Sequence, residues 1–226
     1  MALRRRRIGH SPGKPRPAPR GTFLRGVDDT RALLIAAARD VFLESGPAHF
    51  SLREVARRVG VSAAAVYRHF EDKQALLFAA CTQGFQVFSG YLVRALGAQT
   101  ALDRLLVTGD QYRQFAQENP LDYRFIFMSV ADDLSKGASG EAGPAQESAL
   151  PQDSTFRFLV DRVKECMEAR VIEPGDAEST AVLIWAHVHG LVSLRLSGHL
   201  GPLGDEAAFS RFYNASVQRL LRGLAG

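Results

Sequence analysis

The stretch from Ser51 to Phe70, SLREVARRVGVSAAAVYRHF, constrains this chain more than any other, because it holds two helix starts and a sharp stop within a very short span. Ser51-Leu52-Arg53-Glu54 has the spacing of a capping box, in which a serine hydroxyl and a glutamate three residues on satisfy the free amides of a helix start. Gly60 supplies the residue that adopts positive φ without strain, and Ser62 can cap a second helix immediately afterwards. Ala56, four residues before the glycine, is small enough to let the second helix approach closely. Val55, Val59, Val61 and Val66 are placed to fill the seam. Two short helices packed across a tight turn, a helix-turn-helix, are the expectation.

The rest of the chain follows the same helical period. Leu34, Ala38, Val41 and Phe42 form one face of a preceding helix that starts near Val27, with Asp28 or Asp29 as N-cap and Gly46 as stop. The third helix should end near Phe70, and Asp72 can cap a longer helix to about Leu96. Patterns over about 101–118 and 120–131 follow, separated at Asn119-Pro120 because proline disfavours helical backbone in the residue before it. Residues 132–152 are polar, rich in Ala, Gly and Ser, and without a period, which predicts a long loop. Helical spacing resumes over about 153–172, 176–197 and 205–222, punctuated by Pro174-Gly175 and by Gly198, Gly201, Pro202 and Gly204. No sustained alternation of β-branched residues occurs. The fold class expected is all-α, with about nine helices.

Composition is ordinary for a soluble globular protein, with 46% hydrophobic and 23% charged residues. The net charge of +4 conceals an asymmetry. Residues 1–25 carry eight basic side chains and no acid, which leaves −4 for residues 26–226. Prolines at 12, 15, 17 and 19 among those cations predict a flexible basic arm over 1–26, suited to a polyanionic partner, either nucleic acid or an anionic membrane surface. An apolar stretch of signal-peptide length is missing after the arginines, and the run from Ala181 to Ala186 is broken by His187 and His189. Cys81 and Cys166 stand far apart with no CxxC, so a disulfide framework and a cysteine zinc site are both unsupported. A soluble protein of the reducing cytoplasm, with no membrane partner, fits these features.

Over residues 28–78, TRALLIAAARDVFLESG followed by SLREVARRVGVSAAAVYRHFEDKQALL is similar to the N-terminal pattern of the TetR family of bacterial transcription regulators, notably at Val61-Ser62, Tyr67, His69-Phe70, Lys73 and Leu76-Leu77. The C-terminal half resembles the branch named for a Trp-His-Gly signature, through Trp185, His189, Gly190 and ENPLDYRFIF at 118–127. The resemblance implies a homodimer that reads a palindromic operator and a helical C-terminal domain that binds a small-molecule effector. On that reading the chain divides into the arm (1–26), a helix-turn-helix domain (27–73) and a ligand-binding and dimerisation domain (74–226). It acts as a sequence-specific regulator, a repressor released by its ligand, and is not an enzyme.

The recognition helix is expected at 62–69. Its early residues face base edges, which makes Ser62, Ala63, Ala64 and Arg68 the candidates for base readout. Ser51, Tyr67, His69 and Lys73 carry hydroxyl, imidazole and ammonium groups suited to phosphate oxygens. Ala63, Ala64 and Ala65 offer methyl groups rather than hydrogen bonds, which points to thymine contacts, Arg68 and DNA shape. Within 176–197, Trp185, His189 and Val192 share one stripe, while Leu183, His187, Leu191 and Leu194 share another. The first is assigned to a ligand cavity, with Tyr112, Phe115, Phe125, Phe127 and Met128 as opposite walls, and the second to the dimer interface. Metal binding by His187-x-His189 is disfavoured because residues two apart on a helix point about 200° from each other. The cysteines read as buried small apolar residues, and no cofactor or catalytic motif is found. Three rivals remain open: a regulator without a small-molecule inducer, a membrane-surface protein that uses the basic arm, and an enzyme built on the C-terminal helices, which the absent catalytic constellation disfavours.

Overall fold

The computed structural model describes residues 27–129, 151–203 and 205–225. The basic arm, most of the expected loop over 132–152, and Gly204 lie outside the described residues. Those described form nine α-helices: α1 (Val27–Ser45), α2 (Leu52–Val59), α3 (Ala63–Tyr67), α4 (Lys73–Leu92), α5 (Ala101–Glu118), α6 (Pro120–Arg124), α7 (Pro151–Glu168), α8 (Ala177–Leu196) and α9 (Glu206–Leu224). Short 3₁₀ turns extend α4 over Val93–Gly97 and precede α9 over Gly201–Leu203, and a single π turn, Phe125–Ser129, continues α6.

Most helix starts follow from one side chain each. The carboxylate of Asp72 accepts from the Ala75 amide at 2.7 Å, the Thr100 hydroxyl from Asp103 at 3.1 Å, and Asp205 from Ala208 at 2.7 Å. Asp176 takes the Glu178 and Ser179 amides. Several boundaries differ from expectation. Helix α1 is already helical at Val27, so Asp28 and Asp29 lie within the helix rather than at an N-cap. Helix α7 opens at Pro151, inside the expected loop, because proline's fixed φ suits a first helical position. The helix expected over 120–131 stays α-helical only to Arg124 before widening into the π turn.

Helix α4 together with its 3₁₀ extension is long and apolar enough, by length and composition alone, to cross a membrane. Half of that stretch is buried: Leu76, Leu77, Ala80, Phe85 and Phe88 pack against α1, α5 and α7, as in the central helix of a soluble core. The boundary expected at 73/74 coincides with the start of α4, yet the apolar core runs through it without a break, from Leu34 on α1 to Leu221 on α9. Phe42 meets both Phe50 and Phe125 edge-on, with ring centroids 5.8 and 5.5 Å apart. Arg39 on α1 pairs with Asp122 on α6 at 2.7 Å. A Cβ added at Gly84 would lie 2.7 Å from Ile126 Cγ2, so only glycine lets the π turn press this closely on α4.

Candidate DNA-contacting surface and C-terminal cavity

Leu52, Val55 and Ala56 bury one face of α2, and Ala65 and Val66 bury the matching face of α3. Gly60, at φ 78°, stops α2. Its amide reaches the Arg57 carbonyl at 3.2 Å and the Val61 amide reaches the Ala56 carbonyl at 3.0 Å, the paired bonds of a Schellman stop. The opposite faces look to solvent. Ser51 accepts from the Glu54 amide at 3.3 Å and Ser62 from the Ala65 amide at 3.2 Å. Each cap uses an acceptor lone pair, so each hydroxyl keeps its proton to donate to a phosphate. The reciprocal half of the expected capping box is replaced: the Glu54 carboxylate turns instead to Arg57, whose Nε donates to it at 2.8 Å.

Helix α3 is shorter than the expected 62–69. Phe70 must turn into the core, where it is 4% exposed under the Arg31 guanidinium, and its amide bonds back to Val66. Arg68 and His69 therefore sit on the turn that leaves the helix, not on its face. Ser51, Ser62, Ala64, Tyr67 and Arg68 are exposed, and Ala63 and His69 half-buried. Tyr67 is 59% exposed, which separates it from a core tyrosine. Lys73 has a second duty: its ammonium donates to the Pro47 carbonyl at 3.1 Å and lies 5.4 Å from the Phe50 ring centre, tying the α1–α2 connection to α4. Two of its N–H groups remain for a phosphate.

Residues 27–73 hold seven basic and seven acidic side chains. Arg57 and Arg58 are neutralised by Glu54 and Glu44, and the pairing holds both carboxyls below their ordinary range. Arg39 is paired with Asp40 and Asp122. Among the described residues, Arg31, Arg53 and Arg68 make no ion pair. Arg53 is not among the contacts the sequence suggests. It stands exposed two residues after Ser51, a position that the capping motif itself marks as the solvent side of α2.

The C-terminal helices enclose a cavity of about 450 Å³. Phe88 and Leu92 from α4, Tyr112 from α5, Ile126 and Phe127 from the π turn, Phe156 from α7, Trp185 and Val188 from α8, and Leu221 from α9 all reach it. Of the expected lining, the structure brings Tyr112, Phe127 and Trp185 together. Trp185 lies between the rings of Phe127 and Phe156, 6.3 and 6.2 Å away. The others need correction. Phe115 and Phe125 are fully buried elsewhere in the core, the first behind Phe88 and the second against Phe42. Met128 points outward, 48% exposed at the end of the π turn.

His189 does not line the cavity either. About 40° further round α8 than Trp185, it faces α5 and α6, where Nδ1 lies 2.8 Å from the Tyr112 hydroxyl and 3.0 Å from that of Tyr123. Nε2 lies 3.3 Å from Ser193, and a neutral ring accepting at Nδ1 and donating at Nε2 satisfies the cluster. Burial lowers the His189 pKa and raises those of both tyrosines, so imidazole and phenols stay uncharged. On the other stripe, Leu183 and Leu194 are exposed, Leu191 is half-buried, and His187 meets Ser216 on α9 at 2.9 Å. Cys81 and Cys166 are buried, with thiols pushed up to about 12 and about 11 by desolvation.

Residues 34–80 match the family described as bacterial regulatory proteins, tetR family, and residues 105–220 match the tetracyclin repressor-like C-terminal domain. A probable HTH-type transcriptional regulator, ArpR of Pseudomonas putida, is 33% identical over 189 residues, 79% of this chain and 87% of that one. The class A tetracycline repressor from transposon 1721 of Escherichia coli is 30% identical over 57% of this chain, and the match spans 53% of the repressor's own length. Among solved structures, a protein of unknown function from Rhodococcus sp. RHA1 is 29% identical with a TM-score of 0.68, covering 91% of this chain and all of that one. The regulator PfmR of Thermus thermophilus shares the fold at 17% identity, with a TM-score of 0.65 and coverage of 84% and 98%.

Proposed function

The chain belongs to the TetR family of bacterial transcription regulators, and from that membership we propose that it is a cytoplasmic DNA-binding repressor released from its operator by a small molecule in the C-terminal cavity. The observation that carries the reading is the row Ser51, Arg53, Ser62, Tyr67 and Arg68, exposed on a helix-turn-helix whose buried side shares one core with the cavity. Helix α6 and the π turn join the two. Asp122 and Phe125 touch α1, while Ile126 and Phe127 wall the cavity, so a molecule that displaces the π turn also displaces the helix-turn-helix. Leu183 and Leu194 on α8 and Phe212 on α9, each at least 39% exposed, support a homodimer through these helices and hence a palindromic operator.

Selection of binding sites from random duplex DNA tests the reading. The expected product is an inverted repeat. Tyr67→Phe lowers affinity by roughly threefold to tenfold for every sequence alike, as the loss of one phosphate hydrogen bond does, whereas Arg68→Ala relaxes preference at one position of each half-site. Failure to enrich any sequence would reject it. Because residues 27–73 are electrically balanced, the cations of the arm are the main source of sequence-independent attraction. Deleting residues 1–26 flattens the dependence of log K on log salt by about 0.9 for each phosphate the arm neutralises. An unchanged slope, with loss of binding to anionic vesicles instead, would favour the membrane-surface reading of the arm.

A further inference from the structure

The polar atoms around the cavity are already engaged within the protein. The Thr108 hydroxyl donates to the Arg104 carbonyl at 2.7 Å, and the Gly109 carbonyl accepts from the Tyr213 hydroxyl at 2.7 Å. The Tyr112 hydroxyl is shared with Tyr123 and His189, and Thr155 is not free either. Among the described residues, no lysine, arginine or histidine lines the space. The one charged side chain in the described lining is Asp153, exposed in the first turn of α7 and so placed toward the mouth. The remainder is aromatic and aliphatic, and the volume falls in the ~300–1,000 Å³ range of sites for drug-sized ligands.

We propose that this cavity takes an uncharged, largely apolar molecule with a flat aromatic or alkyl body, and that Asp153 turns anions away at the entrance. The inference rests on the cavity being the effector site. An anion entering would meet a carboxylate first and then a lining that, among the described residues, holds no cation to replace its lost water, so its desolvation goes largely uncompensated. A cation could approach Asp153 but would find no second acid in the lining. Neither charge is solvated inside.

Trp185, the only tryptophan in the chain, stands in the cavity wall and serves as a built-in donor for energy transfer to the neutral dye N-phenyl-1-naphthylamine. Transfer reports dye bound near Trp185, and its loss on displacement reports competitors for that site. Three naphthalenes of matched size, methyl 2-naphthoate, 2-naphthoate and 2-naphthylmethylammonium, then differ chiefly in charge. The ester is expected to displace the dye best and the carboxylate about tenfold or more weakly. Asp153→Asn should strengthen the carboxylate by about threefold, as expected for removal of one exposed like charge, while leaving it weaker than the ester because the apolar lining is unchanged, and with the ester unaffected.

A carboxylate that competes as well as the ester overturns the proposal, and so does an ammonium that competes better than it. An unchanged carboxylate in Asp153→Asn removes the role given to Asp153. If neither dye nor ester enters the cavity, the effector-site reading fails together with this one, an outcome distinct from the other three.

Discussion

The helix-turn-helix and the cavity are built on opposite plans. The expected contacts of the helix-turn-helix lie between Ser51 and Lys73, and its caps and turn are set by bonds of three or four residues' reach: Ser51 to Glu54, Gly60 to Ala56, Ser62 to Ala65. The cavity draws residues from Phe88 to Leu221, on five α-helices and the π turn, and no local rule brings them together. The first region shows its chemistry outward on a short rigid frame. The second turns its chemistry inward, so its geometry depends on how the helices pack. They meet where α1 packs on α4, α6 and the π turn, and the strongest test of the contrast is to cut there.

Phe125→Ala should have the largest effect. Its ring is fully buried against Phe42, and truncation of such a phenylalanine costs about 3–5 kcal/mol in lost burial and residual cavity. Because the core is continuous, urea unfolding followed by far-ultraviolet circular dichroism and by Trp185 fluorescence should remain one coincident transition at a lower midpoint. If the two signals separated, with helix content outlasting the tryptophan environment, the helix-turn-helix and the cavity would be distinct folding units.

The same contrast explains what could be foreseen. Caps at Ser51, Ser62, Asp72, Asp176 and Asp205 and the stop at Gly60 are local, and the structure places most helix boundaries within a few residues of them. The π turn leaves no such mark. It arises because Phe125, Ile126 and Phe127 must satisfy α1, α4 and the cavity in turn, a demand that tertiary packing alone imposes. Hence the sequence marks the aromatic residues near 125 as important but not their destinations. Phe115 and Phe125 went to the core, and Phe127 to the cavity. Likewise Trp185 and His189 are neighbours on one helical stripe, but α5 and α6 capture the histidine and leave the tryptophan to the wall. Asp153 gave no sequence signal, since an acid in a first helical turn is ordinary dipole chemistry.

Gly60→Ala should act on the helix-turn-helix alone. An added Cβ meets no atom within 4 Å, so the cost is that of holding alanine at φ 78°, about 1–2 kcal/mol. The turn can relax only by re-aiming α3, which carries Ser62 and Tyr67. Operator affinity is therefore expected to fall while dye binding beside Trp185 keeps its wild-type strength. Equal losses of both would mean that the geometry of the turn is transmitted to the cavity, and the contrast between local and distributed sites would fail.

The smallest expected effect separates the regions by pH. His189 is half-buried against Tyr112, Tyr123 and Ser193, and desolvation lowers its pKa from the ordinary value of 6.5. In the window just below that value the unfolded chain binds a proton that the folded chain resists, so ∂ΔG_unfold/∂pH is positive there. The stability contributed by the neutral ring is thus complete above the unfolded pKa and declines as pH falls toward the folded one. Glu118 and Glu165, whose pKa values are lowered from 4.5, make their own losses at more acid pH. Urea midpoints measured from about pH 7.5 to 5.5, a range around the ordinary histidine value, should therefore drop in the wild type and drop less in His189→Gln, which keeps a donor and an acceptor but cannot charge. Such a difference would assign the sensitivity to the inward-turned region. Identical slopes in the two proteins would mean that the cluster accommodates imidazolium as readily as imidazole, and that the Tyr112, Tyr123 and Ser193 oxygens together stand in for water.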